Sequence, residues 1–237
     1  MKPMTSPLRQ RLLALPAVLA AAAMLAWAVA HGLPLLQSDL QSQGARQKVD
    51  TWAREGKGWT VDEWQLVRGQ LLRALETAPD DPVTHVTLAQ LYVTQGLLAW
   101  GDEVQRQAYF GEALVYQRQA LALRPTDGYT WSQVAISLFA LGQPVADVQA
   151  AWSQALRYAP REAAVQRALV DLTLALWQQA PPQMREWALQ TWRDAPAAVR
   201  KRYQADAVKW GRPEVFQLPN PHPQGRGWGV PKDPGPG

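Results

Sequence analysis

Three acidic pairs, Asp62-Glu63, Asp80-Asp81 and Asp102-Glu103, and three histidines, His31, His85 and His222, are the residues around which a reaction could be built. Glycosyl transfer or hydrolysis needs two carboxylates set across a sugar, or an acidic cluster that holds a metal. Each pair instead stands where a helix is predicted to begin. A carboxylate there satisfies free amides and meets the positive end of the helix dipole, so the pairs read as caps. The chain has no cysteine, which excludes disulfides, thiolate metal sites and cysteine nucleophiles. His85 falls on an apolar helical stripe, the place of a packed side chain rather than a ligand. A nucleotide-binding loop needs a strand before its glycines, and those at 56 and 58, and at 225, 227 and 229, follow none. No catalytic residue, metal site or cofactor is expected, and the chain reads as a non-enzyme.

The elements that would position any site begin with an apolar run. Leu12 to Ala30 is 19 residues without a charge, and Gly32 to Leu36 extends it. A helix needs ~20 apolar residues to cross ~30 Å of hydrocarbon. Arg9 and Arg11 precede the run and Asp39 follows it. The positive-inside rule then puts residues 1–11 in the cytoplasm, a single-pass anchor over 12–36 in the inner membrane, and the rest in the periplasm. Ala28-Val29-Ala30 also fits a signal-peptide cleavage pattern, so a cleaved leader stays open. The anchor is favoured because apolar residues continue past that point. The net charge of +4 is mostly N-terminal: without Lys2, Arg9 and Arg11, 21 basic residues face 20 acidic ones. A near-neutral body argues against a nucleic-acid partner.

From about residue 38 to 210 the apolar spacing is three and four. Trp64, Val67, Leu71, Ala74 and Ala78 share one helix face, opened by a capping box at Thr60-Val61-Asp62-Glu63. His85, Leu88, Ala89 and Tyr92 form a second stripe, Trp131, Val134, Ala135 and Leu138 a third, and Val148, Trp152, Ala155 and Ala159 a fourth. No stretch alternates, so the fold is expected to be all-α. The segment Ala74 to Asp81 recurs at Ala120 to Asp127 and again at Ala155 to Pro160, each with a proline five residues after the alanine. These closings, with the large–aliphatic–small–aromatic stripes that follow Pro79 and Pro125, resemble the tetratricopeptide (TPR) repeat. The proline spacings are 46 and 35 residues, against about 34 in that family. The longer interval is expected to hold a lengthened helix pair and loop around Leu97 to Ala113. About two and a half repeats over 38–210 are expected, with flanking helices.

Further along, Gly128-Tyr129-Thr130-Trp131, Leu141-Gly142-Gln143, Trp152, Pro160-Arg161-Glu162-Ala163-Ala164-Val165-Gln166 and Leu174-Ala175-Leu176-Trp177 resemble the VpsP-like membrane-anchored TPR proteins of bacterial exopolysaccharide biosynthesis clusters. The resemblance covers about residues 10–215. Arg161 departs from it, standing where another tryptophan is expected, and the C-terminal tail looks like an addition. The resemblance carries no catalytic residue. It implies a scaffold that helps assemble an envelope polysaccharide synthesis and export complex, whose proteins would be the partners. An assembly factor of another envelope pathway, such as cytochrome c maturation, and a polysaccharide-modifying enzyme are the alternatives.

In the TPR register the concave face would present Val83, Val86, Gln90, Tyr129, Ser132, Ile136 and Phe139, with Arg167 and Asp171 from the next helix. Apolar positions with a few polar handles suit a peptide or helix from a partner. The groove could instead be filled from within, by a helix over residues 40–55 or by the C-terminal helices. Among the 12 tryptophans, Trp64, Trp131, Trp152 and Trp177 lie on apolar faces and are expected in the core. Trp59 and Trp100, beside glycines near loops, are expected at the surface. Residues 211–237 hold seven prolines and six glycines and are expected to be an extended, disordered tail.

Overall fold

The computed structural model describes residues 7–56 and 58–217, with residues 7–18, 31, 34, 35, 38 and 41 described in backbone only. Residues 1–6 of the expected stub and 218–237 of the tail lie outside the described residues, as do the side chains of the expected anchor up to residue 18. The described residues form nine α-helices and no strand, so the fold is all-α. The helices are α1 (Pro7–Glu55), α2 (Val61–Thr77), α3 (Pro82–Leu98), α4 (Glu103–Leu123), α5 (Gly128–Ala140), α6 (Val145–Tyr158), α7 (Ala163–Ala175), α8 (Pro182–Asp194) and α9 (Ala197–Lys209). They belong to two compact units that divide within α7, after Leu169. Among the described residues, no helix is long and apolar enough to cross a membrane.

In the first unit the helices pair as hairpins: α1 with α2, α3 with α4, and α5 with α6. α2 also packs on α3, and α4 on α5. The end of α1 takes part in the first hairpin. Its last third buries Ser42, Ala45, Val49 and Trp52 and packs on α2 and α3, as the first helix of a hairpin.

The turns between hairpins follow one plan. Ala74, Ala120 and Ala155 are each buried, small enough for a neighbouring helix to approach. The carbonyl of each accepts the N–H of the residue that ends the helix: Ala78 at 2.9 Å, Arg124 at 2.8 Å and Ala159 at 2.9 Å. A proline follows and prevents the helix from resuming. The next helix then begins on an aspartate in the first two turns. Asp81 accepts from Val83 N, and Asp127 from Tyr129 N and Thr130 N. Such a cap is worth about 1 kcal/mol. Six residues after each proline, a side chain returns to the proline's carbonyl: His85 Nε2 to Pro79 O at 2.8 Å, Trp131 Nε1 to Pro125 O at 2.9 Å, and Gln166 Nε2 to Pro160 O at 2.8 Å. A carbonyl only accepts, so His85 carries its proton on Nε2.

The long interval between Pro79 and Pro125 is lengthened in helix alone. α3 has 17 residues against 13 in α5, and α4 has 21 against 14 in α6. The connection itself is not longer: residues 99–102 match residues 141–144 in number. The expected longer loop is therefore absent.

The second unit is built on α8, α9 and the end of α7. Val170, Leu174, Ala188, Trp192, Tyr203 and Ala207 form its core. Phe216 completes that core, stacked on Trp192 at 5.4 Å, while Gln204 Nε2 donates to its carbonyl at 3.0 Å. The helical domain thus extends past the expected boundary at 210. An aromatic anchor outweighs the Pro/Gly composition of residues 211–217.

Gly128 tests the close packing at the turns. A Cβ added there would lie 2.5 Å from the Ala159 Cβ and 2.9 Å from its backbone nitrogen. Gly111, inside α4, has nothing within 4 Å. Gly111→Ala is expected to stabilise the full chain by up to about 1 kcal/mol through helix propensity. Gly128→Ala is expected to destabilise it by about 1–3 kcal/mol through overpacking. Urea unfolding followed by circular dichroism measures both.

Candidate functional site

The candidate groove lies on the face made by the first helices of the hairpins. α3 contributes Val83, Val86 and Gln90, all half-buried, and α5 contributes Tyr129, Ile136 and Phe139, half-buried, and Ser132, buried. The two helices are joined across this face by Tyr129 Oη, which donates to Gln90 Oε1 at 2.7 Å. Ser132 Oγ donates to the Tyr129 carbonyl at 2.7 Å, so its hydroxyl serves the helix. Ile136 packs against the main core. Phe139 turns toward the hairpin tip, where its ring meets Trp100 at 6.1 Å. Val83 and Val86 are left as apolar edges beside the Gln90–Tyr129 bridge.

α1 adds residues that no repeat register pointed to. Arg46 reaches from α1 to the start of α3: Nη2 donates to Asp81 Oδ2 at 3.1 Å and to Thr84 Oγ1 at 3.3 Å, while Nη1 pairs with Asp39 at 2.6 Å. Asp81 is thereby both a helix cap and a partner of a cation, and Thr84 Oγ1 donates to it at 2.6 Å. The signal was in the sequence: Ser42, Ala45, Val49 and Trp52 sit at helical spacing. It was masked by the apolar run before it.

Tyr129 sits in an acidic field. Burial pushes its phenol up to about 12, helped by the carboxylates of Asp50, Asp127 and Glu162. The hydroxyl therefore stays a neutral donor through the physiological range. Arg167 is exposed on α7 in the first unit. Asp171 belongs to the second unit, where Trp210 Nε1 donates to its Oδ1 at 2.7 Å. The C-terminal helices thus occupy that carboxylate.

The acidic pairs stand at helix starts. Thr60 and Glu63 form a reciprocal capping box on α2, Asp81 caps α3, and Asp102 caps α4 through Gln105 N at 3.1 Å. Among the described residues, no group of three His, Asp or Glu side chains is placed to hold a metal. Open clefts lie outside the groove. One of about 410 Å³ is bordered by Leu75, His85, Tyr116 and Gln119, and one of about 740 Å³ by Arg118, Trp131, Leu138 and Asp147. Of the tryptophans expected in the core, Trp152 is buried, and Trp64, Trp131 and Trp177 are half-buried. Trp59 is half-buried against Trp52, with rings 5.2 Å apart, and Trp100 is exposed.

Compared with known proteins, the chain matches no family model and no curated sequence.

Tyr129→Phe removes the bridge to Gln90 and is expected to lower stability by about 1 kcal/mol at pH 7. The unfolded phenol titrates near 10 and the folded one near 12. The wild-type contribution is therefore intact below pH 10. As pH rises from 10 through 12, ionisation of the phenol costs the wild type about 2–3 kcal/mol of stability, more than the bridge contributes. Urea unfolding of both proteins between pH 7 and 12 should show that part of the alkaline loss in the wild type only.

Proposed function

We propose that the chain is a non-enzymatic, membrane-tethered TPR-like scaffold that grips proteins of a bacterial envelope polysaccharide synthesis and export complex. The observation that carries the reading is the continuity of α1. Residues 19–30 of this helix are exposed on every side, and Leu33, Leu36 and Leu40 continue that exposure. Six residues beyond Leu36, at Ser42, the same helix enters the packed hairpins. The exposed apolar side chains between residues 19 and 30 favour a hydrocarbon surrounding, which supports the anchor. At ~1.5 Å per residue, the hairpins begin about 9 Å past the apolar run. No flexible linker intervenes, so the groove is held beside the bilayer and its local concentration near membrane partners is raised.

The repeated closings at Ala74, Ala120 and Ala155 support the TPR-like reading, since three turns share one geometry. The groove supports binding rather than chemistry. Val83 and Val86 offer apolar edges, and Gln90 and Tyr129 fix polar heads beside them. The polysaccharide pathway rests on the resemblance to VpsP-like proteins. The periplasmic placement rests on Arg9 and Arg11 preceding the apolar run.

A photo-crosslinking residue at Val86 of the full chain, activated in intact cells, is expected to trap synthase, co-polymerase or export subunits. Trapping of apocytochromes or haem-lyase subunits would move the protein to cytochrome c maturation. A reporter fused after residue 40 is expected to be active outside the cytoplasm, and activity inside it would overturn the orientation.

A further inference from the structure

We propose that the tip of the α3–α4 hairpin is a second docking surface, built to receive a basic amphipathic helix from a partner protein. The eleven residues by which this hairpin exceeds the α5–α6 hairpin lengthen α3 and α4 and leave the connection unchanged. They carry the tip beyond its neighbour, and the tip is apolar. Leu97 is 53% exposed, Leu98 56% and Val104 78%. Lengthened helices need no such residues for their own packing, and water-facing leucines at a turn gain nothing in the free protein.

Trp100 sits among them, 38% exposed and held in place. Its ring stands edge-on to Phe110 at 6.2 Å and against Phe139 at 6.1 Å. Arg106 covers it at 5.3 Å and donates through Nη1 to the Trp100 carbonyl at 3.2 Å. An aromatic ring fixed before binding loses little entropy on binding, which favours its use as an anchor. The α1–α2 connection lies alongside. Trp59 Nε1 donates to Gln95 Oε1 at 3.1 Å, and Trp64 meets Tyr109 edge-on at 6.1 Å. Val61, 70% exposed, extends the apolar surface there.

The charges around the tip choose the occupant. Asp102 and Glu103 lie at the tip, and Glu55, Asp62 and Glu63 flank the α1–α2 connection that Trp59 ties to Gln95; all five are exposed. Against them stand Arg54, which donates to Thr51 Oγ1, and Arg106, which pairs with Glu103. Lys57 lies outside the described residues. A rim with excess carboxylate repels an anionic lipid surface and repels a second copy of the same tip. It attracts lysines and arginines flanking an apolar stripe, the pattern of a basic amphipathic helix. Phe139 borders both this surface and the groove, and variants at Leu97 and Leu98 leave Val83 and Val86 intact, so the two proposals are tested separately.

The test uses the full chain in zwitterionic nanodiscs and a fluorescent synthetic helix of lysines and leucines at amphipathic spacing, with fluorescence anisotropy as the readout and empty nanodiscs as the blank. Leu97→Ser with Leu98→Ser is expected to raise Kd about tenfold, the effect of withdrawing roughly one buried leucine. Glu55→Lys, at an exposed helix end where a cation suits the dipole, is expected to raise it severalfold. Val115→Ser, exposed on α4 away from the tip, should leave it unchanged. Equal binding of a peptide with glutamates in place of lysines would overturn the proposal. So would an unchanged Kd in the double serine variant, or tip-dependent self-association in sedimentation.

Discussion

The closing turn of each hairpin is the constraint from which the rest of the first unit follows. A buried alanine lets two helices approach, its carbonyl ends the helix, and a proline prevents continuation. The proline's own carbonyl is then taken by a side chain six residues on. With both ends of the turn hydrogen-bonded, the next helix starts at one height and one rotation. That is why Gly128 must be glycine: the start of α5 is pressed onto Ala159 from the following turn. It is also why Tyr129 falls opposite Gln90 rather than a turn away. A bond between two long side chains 39 positions apart needs the helix starts to be fixed first.

The same constraint decides where the chain can grow. An insertion at the closing turn would break its carbonyl contacts, so added length goes to the other end of the hairpin. There α3 gained four residues and α4 gained seven relative to their counterparts. At ~3.6 residues per turn these are close to one and two turns. The buried stripes therefore return to the core side after the insertion, as Phe110 and Ala113 show by their burial. Gly96 accommodates the added turn. A Cβ there would come within 2.8 Å of the Phe110 ring, so the two lengthened helices cross closely enough to need a bare backbone.

The all-α fold was legible because burial follows period. Val67, Leu71 and Ala74, Leu88, Ala89 and Tyr92, and Val148, Trp152 and Ala155 are buried as the spacing predicts. The capping box at Thr60 and Glu63 was legible for the same local reason. Tertiary roles were not. His85, Trp131 and Gln166 share one bond to a proline carbonyl, yet their types have little in common beyond a ring or amide nitrogen. Arg46 joins α1 to α3 over a separation of 35 residues to Asp81, which no local pattern encodes. Phe216 was hidden by the prolines and glycines that follow it, although a phenylalanine just past a helical domain is a fair sign of a docked terminus. Of the groove, the position of each residue along its helix was legible. The engagement of Asp171 by Trp210 depends on a contact made within the second unit.

The polar side chains of the first unit are largely committed to the fold. Asp81, Asp102 and Asp127 are spent on helix starts, Ser132 on a backbone carbonyl, and Gln90 on Tyr129. A group held this way has its geometry set by the fold and its hydrogen-bonding capacity partly used. On the proposed reading, binding would draw its energy from the apolar edges at Val83 and Val86, at about 25 cal/mol per Å² removed from water. The fixed polar heads contribute by rejecting partners that fail to match them, because an unmatched buried amide or hydroxyl costs about 1–3 kcal/mol. Tyr129 suits that task. Its raised pKa keeps it a neutral donor through the physiological range. A surface of this kind discriminates by shape and by a few donors and acceptors.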